Sequence, residues 1–428
     1  MKKELLKSVI YQVYVRNETE EGTFKALETK LPEIKDKGCN ILYLMPISPI
    51  GVIGRKGALG CPYSIMDYEA INPEYGTLDD LKSLINKTHK LGMKFMMDIV
   101  FNHTSRDSVL IKKHEEYYYH DKEGKLGNRV GDWSDVYDLD TGREDTQDYL
   151  VSVLKLYESW GADGFRFDVA SFLPASFYKK AKQALKPSTI LLAEAVDNPF
   201  LLDARRMGRE ILSYEELFNV GFDAVYHYAN WHFFSEFLEN RTLNSLNIYK
   251  ATLEMEQGCI SEDGLVVRAI ENHDRPRICS YKGDESFHRS LLSYSFFTRG
   301  PVFVYSGEES RETNTPSLFE KDLVTFKNFN QSYFDFYLKN ISLKKREINL
   351  NLIQSLFSQD SEMGIKVTNF YSDGYKELGL FPMDDNDVVE FININLKDGI
   401  YQNLLGGKIE VKDNKITTKE PVIISLNN

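Results

Sequence analysis

A repeated alternation of short apolar runs with longer amphipathic runs constrains the fold of this chain more than any other feature of its sequence. Helical spacing of apolar residues lies between several of the short runs, as in 24–37, 77–91 and 146–160. Strands that alternate with helices form a parallel sheet, because parallel neighbours need a long crossover connection. Eight short runs have the length and apolarity of buried strands: 8–15, 40–45, 94–101, 164–168, 190–193, 222–226, 265–270 and 301–305. They predict an α/β fold of the (β/α)8 TIM-barrel type rather than an open, doubly wound sheet.

Two regions depart from this alternation. The segment 104–143 is polar and has no helical period, which is typical of a short subdomain inserted after the third strand. From about residue 351 the chain changes to short alternating segments separated by turns, and this pattern predicts a C-terminal antiparallel β domain of the β-sandwich type. The predicted domains are therefore a barrel (1–103 and 144–350), an inserted subdomain (104–143) and a C-terminal β domain (351–428).

The strand-like run Gly-Phe-Arg-Phe-Asp carries a cation and an anion two residues apart. Side chains two apart in a strand point to the same face, so we expect Arg166 and Asp168 to lie together. One interpretation is an ordinary structural ion pair at a strand end. Another is a reactive carboxylate that the neighbouring guanidinium keeps ionised. Because Asp98, Glu194 and Asp274 also lie at the ends of strand-like runs, the sequence favours a site at the mouth of a barrel.

The charge of the chain limits its partners. The formal net charge is −12 at pH 7 with both signs interspersed, which argues against nucleic acid and anionic membranes as partners. No apolar run approaches the length of a transmembrane helix, and the start of the chain lacks the apolar core of a signal peptide. The four cysteines are scattered without metal-ligand spacing, as expected for reduced thiols. We therefore expect a cytoplasmic protein, whose oligomeric state the sequence leaves undetermined.

Four short motifs occur in order at the ends of predicted strands. They are Asp98-Ile-Val-Phe-Asn-His103, Gly164-Phe-Arg-Phe-Asp168, Thr189-Ile-Leu-Leu-Ala-Glu194 and Asn272-His-Asp274. With these motifs the chain resembles the α-amylase family, known as glycoside hydrolase family 13. The stretches 72–76 and 300–308 are also similar to family sequences. Four motifs in the expected order along the barrel make a specific signal, whereas any one alone would be weak.

The resemblance implies a role for each carboxylate. Asp168 is implied as the nucleophile, Glu194 as the general acid/base and Asp274 as the group that steadies the distorted sugar. Retaining glycosidases need their two reacting carboxyl groups about 5 to 5.5 Å apart. Arg166 is expected to keep Asp168 ionised. The apolar run before Glu194 and the two nearby carboxylates are expected to raise the pKa of Glu194, as a general acid requires.

The resemblance also implies substrate-binding residues. His103 and His273 are implied to hydrogen-bond sugar hydroxyls at the cleavage site, although a histidine satisfied within the fold is the alternative interpretation. Tyr63 is similar to the family tyrosine that stacks on the reacting sugar. Asp98 is similar to the residue that braces the arginine, which is Arg166 in this sequence.

Asn102 is similar to a calcium ligand of many family members. A calcium site would also need oxygen ligands from the inserted subdomain, where four acidic residues are available: Asp132, Asp135, Asp138 and Asp140. Solvated loop charges are an equally good interpretation of these four. The sequence therefore predicts that no cofactor is required and is compatible with a structural calcium ion.

Together with the resemblance, the sequence predicts a retaining hydrolase of α-glucosidic bonds. The expected substrates are α-1,4-linked maltooligosaccharides or starch-derived glucans, and a cytoplasmic location favours short oligosaccharides. Two alternatives stay open: a transglycosylase (4-α-glucanotransferase-like) or sugar isomerase of the same family, and a non-catalytic carbohydrate-binding relative. The presence of all three carboxylates, together with Arg166 and both histidines, favours an enzyme.

Overall fold

The computed structural model describes residues 2–130, 133–261, 263–384 and 387–426. Asp132, considered above as a calcium ligand, lies outside the described residues. The strands are β1 (Val9–Val13), β2 (Ile41–Leu44), β3 (Lys94–Ile99), β4 (His103–Ser105), β5 (Val136–Asp138), β6 (Gly164–Phe167), β7 (Ile190–Ala193), β8 (Ala224–Tyr226), β9 (Leu265–Val267), β10 (Val302–Tyr305), β11 (Leu352–Ser358), β12 (Gly364–Tyr371), β13 (Lys376–Pro382), β14 (Val389–Phe391), β15 (Gly399–Gln402), β16 (Lys408–Val411), β17 (Ile416–Thr418) and β18 (Val422–Ser425).

The α-helices are α1 (Val15–Glu18), α2 (Phe24–Asp36), α3 (Leu78–Lys90), α4 (Val109–Lys113), α5 (Glu144–Trp160), α6 (Ala175–Ala184), α7 (Asn198–Arg206), α8 (Tyr214–Asn219), α9 (Trp231–Asn240), α10 (Leu243–Cys259), α11 (Glu285–Phe297) and α12 (Gln331–Lys344). Short 3-10 helices occupy Lys3–Lys7, Glu115–Tyr117, Ala170–Phe172, His227–Asn230, Ile278–Ser280, Glu308–Ser310 and Glu347–Asn351. Among the helices of the described residues, none has the length and apolarity needed to cross a bilayer.

Eight of the strands form one sheet in the order β10-β1-β2-β3-β6-β7-β8-β9. The pairings from β2 through β3, β6 and β7 to β8 are parallel. A parallel bridge between Arg268 and Val302 joins the two ends of this order, so the sheet closes on itself. Gly300 permits this close approach, because a Cβ at that position would lie 2.1 Å from the carbonyl oxygen of Val266. The predicted (β/α)8 barrel is confirmed.

The helices between the strands follow from local sequence signals. The side chain of Thr77 accepts a hydrogen bond from the backbone N–H of Asp80, and the Asp80 side chain accepts one in return, which forms a capping box at the start of α3. Helix α5 ends at Gly161, whose φ of +116° suits a residue without a side chain. Helix α2 buries the apolar residues at the predicted helical spacing: Phe24, Leu27, Leu31 and Ile34.

The segment after β3 contains little regular structure. Strands β4 and β5 pair antiparallel, with His103 opposite Asp138. Helix α4 could not be predicted from the sequence, because five residues are too few to show a helical period.

The last part of the chain is antiparallel β structure, as predicted. Strands β11, β12, β13 and β18 form a four-stranded sheet, and β14–β17 and β15–β16 form two-stranded sheets. Their buried side chains make one apolar cluster: Leu378, Leu380, Val389, Phe391, Ile394, Val411, Ile416, Val422 and Ile424. Burial of this cluster gives the C-terminal β domain a core of its own.

The chain divides into two compact units. The N-terminal unit comprises Tyr11–Val225 and Pro316–Val324, and the C-terminal unit comprises Met1–Ile10, Tyr226–Thr315 and Thr325–Asn428. This division does not test the domain boundaries derived from the sequence, which stay a prediction.

Candidate active site

Arg166 lies at the centre of a group of carboxylates in the N-terminal unit. Strand β6 is buried throughout, and its backbone register places Arg166 beside Asp98 of β3. Arg166 Nη1 donates to Asp98 Oδ1 at 2.8 Å and to Asp168 Oδ1 at 3.1 Å. The pairing of Arg166 with Asp168 follows from strand alternation, because both side chains project from the same face of β6.

Glu194 joins the same guanidinium from the end of β7. Arg166 Nη2 lies 2.9 Å from Glu194 Oε1, and the backbone N–H of Val169 donates to Glu194 Oε2 at 2.8 Å. Val169 has φ +37°, a left-handed conformation that is costly for a β-branched residue and is typical of constrained sites. The chain therefore holds Glu194 next to the residue that follows Asp168.

Electrostatics explain why a fully buried arginine is tolerated here. Burial lowers the pKa of Arg166, but the carboxylates of Asp98 and Glu194 outweigh burial and hold its pKa well above the ordinary value. Arg166 is therefore charged at every physiological pH. Its two terminal nitrogens bind Asp168 and Glu194, so one guanidinium holds both carboxylates. We name this group of four residues, Asp98, Arg166, Asp168 and Glu194, the Arg166 cluster.

Asp98 is held by hydroxyls as well as by the arginine. Its Oδ2 accepts hydrogen bonds from Tyr43 at 2.6 Å and from Tyr63 at 2.8 Å. The Arg166 guanidinium lies 5.9 Å from the centre of the Tyr63 ring, within cation–π range. Tyr63 was predicted from the sequence and Tyr43 was not, although a hydroxyl in the otherwise apolar strand β2, next to β3, was a usable signal.

His103 lies at the start of β4 and is almost fully buried. Burial is the largest influence on its pKa and lowers it, which favours a neutral imidazole. Its Nδ1 is 3.1 Å from the side-chain amide nitrogen of Asn102, and its ring lies 5.1 Å from that of Trp133. A neutral imidazole can accept or donate a hydrogen bond to a sugar hydroxyl.

The remaining predicted residues belong to the C-terminal unit. His273 Nε2 lies 2.9 Å from Asp274 Oδ2, and Asn272 Oδ1 accepts a hydrogen bond from the backbone N–H of Asp274 at 2.9 Å. The side-chain amide of Asn272 donates to the hydroxyl of Tyr228. The Asp274 side chain is 42% exposed, whereas those of Asp168 and Glu194 are each 11% exposed. That all three carboxylates face one sugar stays a prediction.

Of the acidic residues considered for calcium, the described ones, Asp135, Asp138 and Asp140, contact cationic side chains or a backbone N–H. Asp135 Oδ1 lies 3.3 Å from the Lys56 ammonium, and Asp138 Oδ2 lies 2.9 Å from Arg129 Nε. Within the described part of the chain, no three His, Cys, Asp or Glu side chains are grouped as metal ligands. Asp135 and Asp138 are thus paired with cationic side chains, while Asp138 Oδ1 is buried without a hydrogen-bond partner. Calcium binding by Asn102 and these acids stays a prediction.

Comparisons with known proteins agree with this fold. The family model for the catalytic domain of alpha-amylase matches residues 12–137 and 131–362, and the model for the bacterial alpha-amylase C-terminal domain matches residues 358–424. The chain therefore belongs to the α-amylase family.

Solved structures and curated relatives extend this result. The crystal structure of an alpha-amylase from Lactobacillus plantarum is 36% identical, with a TM-score of 0.92, over 99% of this chain and 100% of that one. A noncanonic maltogenic alpha-amylase from Thermotoga neapolitana is 26% identical, with a TM-score of 0.83, over 98% and 99% of the two chains. Probable oligo-1,6-glucosidase 3 of Bacillus subtilis (strain 168) is 24% identical over 75% of this chain and 68% of its own length. This protein is thus an enzyme of the α-amylase family that acts on α-glucans.

Proposed function

We propose that this protein is a retaining glycosidase that hydrolyses α-1,4-glucosidic bonds in maltooligosaccharides or starch-derived glucans. The observation that supports this proposal most is the Arg166 cluster, in which one guanidinium binds Asp168 and Glu194 through its two terminal nitrogens. Two adjacent carboxyl groups suit a retaining reaction, whereas an inverting reaction needs a wider gap that admits water between them.

In the proposed reaction each carboxyl group has one task in each step. Asp168 attacks the anomeric carbon while Glu194, in its protonated form, donates its proton to the departing glycosidic oxygen. The product is a glycosyl ester on Asp168 and a free sugar hydroxyl. Glu194 then removes a proton from water, the water oxygen displaces Asp168, and the sugar leaves with its original anomeric configuration.

We propose the substrate contacts from the roles that the resemblance to the family implies for these residues. Asp274 steadies the positive charge that develops on the sugar, while His103 and His273 hydrogen-bond its hydroxyls. Tyr63 stacks on the reacting sugar, and its hydroxyl is anchored on Asp98. The ion pair between Arg166 and Glu194 is a feature that the sequence did not predict, and the first step of the proposed reaction requires Glu194 to be protonated in spite of it.

A product profile on a substrate panel tests the bond preference. The panel contains maltose, isomaltose, sucrose, trehalose, maltoheptaose and pullulan. We expect the fastest turnover on maltoheptaose, with products that keep the α configuration when anomers are resolved by NMR. Fastest turnover on isomaltose would instead assign α-1,6 specificity, as the names of the oligo-1,6-glucosidase relatives suggest.

A transfer reaction is the main alternative within the family. The glucan:maltose-1-phosphate maltosyltransferase of Streptomyces coelicolor is 27% identical, but over only 52% of this chain and 35% of its own length. Incubation with maltotriose distinguishes the two reactions. Early formation of oligosaccharides longer than the substrate would indicate a transferase and contradict the proposed hydrolase. A product set of glucose and maltose alone supports the proposal.

The location of the protein is also a proposal. A relative from Bacillus subtilis, 25% identical over 77% of this chain and 56% of its own length, is named intracellular maltogenic amylase. We propose the same compartment here, with short glucans as substrates and without a cofactor. Cell fractionation of the source organism tests this point: activity in the culture medium would contradict it.

A further inference from the structure

The loop that carries Asn272, His273 and Asp274 is closed by a buried ion pair. Arg277 Nη1 donates to Glu271 Oε1 at 2.6 Å, and the backbone N–H of Ile278 donates to Glu271 Oε2 at 2.7 Å. The side chains of Arg277 and Glu271 are 0% and 1% exposed. Asp274 lies midway between the two partners in sequence, so a single contact fixes both ends of the loop on which it sits.

Arg277 also attaches the loop to the chain around β10. Its Nη2 donates to the carbonyl oxygen of Ser306 at 2.7 Å, and its Nε donates to the carbonyl oxygen of Asn314 at 3.2 Å. The guanidinium lies 4.1 Å from the centre of the Tyr305 ring. A planar guanidinium can make all these contacts together, whereas a lysine ammonium in the same place cannot.

Between these anchors the loop is held by contacts of its own. The carbonyl oxygen of Arg275 accepts a hydrogen bond from Thr315 Oγ1 at 3.1 Å, and the Arg275 guanidinium lies 4.8 Å from the Trp231 ring. Pro276 fixes one more backbone angle directly before Arg277. Asp274, although more than two-fifths exposed, therefore projects from a rigid support.

We propose that Arg277, through its ion pair with Glu271, is a positioning residue that fixes Asp274 for the chemical step. This inference rests on the proposed function, in which Asp274 stabilises the transition state. Displacement of a catalytic group by about 1 Å can cost about 100-fold in rate. A loop that loses its closing contact is therefore expected to lose kcat more than substrate affinity.

The test compares two changes at this ion pair with one at a similar pair elsewhere. Arg277→Lys keeps the charge but loses the planar contacts. The double variant Glu271→Gln/Arg277→Met removes both charges of the pair together, so neither member is left charged without the other, and it is expected to fold when the single change does not. The control is Arg346→Lys, because Arg346 also binds a buried carboxylate with two bonds, both at 2.7 Å, to Glu377.

We expect kcat on maltoheptaose to fall about 100-fold in both Arg277 variants, with KM changed less than about threefold. Hydrogen–deuterium exchange is expected to rise in the peptide 271–278. The Arg346→Lys protein is expected to keep its kcat even where its thermal midpoint falls. In the double variant the thermal midpoint is expected to approach that of the wild type while kcat stays low.

Other outcomes overturn the inference. A double variant with wild-type kcat would mean that the ion pair only stabilises the fold. A loss of kcat in Arg346→Lys equal to that in the Arg277 variants would mean the same. A wild-type protein inactive on the whole substrate panel would instead refute the proposed function. In that case hydrogen–deuterium exchange in the peptide 271–278 tests whether the ion pair fixes the loop. Unchanged exchange in both Arg277 variants would refute that role.

Discussion

Arg166 in the N-terminal unit and Arg277 in the C-terminal unit are both buried arginines that bind carboxylates, yet their partners differ in kind. Arg166 binds three carboxylates, and two of them, Asp168 and Glu194, keep part of their surface exposed. Arg277 binds one fully buried carboxylate and two backbone carbonyl oxygens. The first arginine therefore orients groups that can still reach a ligand, whereas the second holds main chain.

A buried arginine can therefore serve two purposes, depending on how exposed its carboxylate partners are. A carboxylate near solvent can react, because it can meet a substrate and exchange its proton. A carboxylate with almost no exposed surface, such as Glu271, can act only through the structure that it holds in place. Substitutions at both arginines should therefore lower kcat, and those at Arg277 should in addition raise hydrogen–deuterium exchange in the loop 271–278.

The largest effect is expected for Asp168→Asn in the Arg166 cluster. Replacement of the nucleophile by an amide is expected to reduce kcat on maltoheptaose by about 10⁴-fold or more, because the covalent intermediate cannot form. The matched control is Asp145→Asn, since Asp145 is also paired with an arginine, Arg143, but is exposed. Equal activity of the Asp168→Asn protein and the wild type would refute a catalytic Arg166 cluster.

Arg166→Lys is expected to have the next largest effect. One ammonium cannot contact Asp98, Asp168 and Glu194 together, so we expect kcat/KM to fall about 10²- to 10³-fold. The free energy of unfolding in urea should fall by about 3–5 kcal/mol, since buried carboxylates lose their partner. The control Arg143→Lys changes an exposed pair and is expected to change neither value. Wild-type kcat in the Arg166→Lys protein would contradict the role of Arg166 in orienting the reacting carboxylates.

Lys344 is a third buried basic residue, and its partner is weaker than those of the two arginines because it is a backbone carbonyl oxygen and not a carboxylate. Its ammonium donates to the carbonyl oxygen of Thr298 at 3.0 Å, and burial lowers its pKa to about 7. Between pH 7 and the ordinary lysine pKa the unfolded chain binds a proton that the folded chain does not, so this group makes stability rise with pH. Lys344→Met should therefore stabilise the fold, most at pH 6 and least near pH 10.

Thermal unfolding at several pH values checks this prediction. Lys339→Met on the same helix, α12, is the control, because Lys339 is exposed and its replacement should leave the pH dependence unchanged. Stabilisation of equal size at pH 6 and pH 10 would mean that the gain comes from packing and not from charge.

The smallest effect is expected for removal of metal. Lys56 and Arg129 already neutralise Asp135 and Asp138, so dialysis against a chelator should change neither kcat nor the thermal midpoint. The control is the same preparation with calcium restored. A midpoint that falls in the chelator and recovers with calcium would show that these salt bridges do not replace a metal ion.

The parts of the site whose residues are related by the short repeat of a strand or helix could be predicted from the sequence. Arg166 and Asp168 are two residues apart in a strand, and that spacing alone places them on one face. The caps of α3 and α5 follow equally local rules, through Thr77 and Gly161. The ion pair of Arg166 with Glu194 crosses from one strand to the next, and no local period connects those two positions.

The Glu271–Arg277 ion pair, which lies in a loop, could not be predicted from the sequence either. Its members are too far apart for a turn and follow no helical or strand period, so the sequence gives no signal that they meet. Their contact depends on where Ser306 and Asn314 place their carbonyl oxygens, which is a property of the folded chain. Likewise, the burial that lowers the pKa of Lys344 cannot be read from a helix with charged residues on several faces.

The closed βα architecture, the antiparallel C-terminal part and the family could all be predicted from the sequence, because each depends on local periods or on short motifs in order. Only the tertiary structure decided which carboxylates share Arg166, which arginine closes the Asp274 loop and which cations lie beside Asp135 and Asp138. The physical reason is that charge pairing depends on distances of a few ångströms between segments far apart in the chain, and those distances are set when the segments pack.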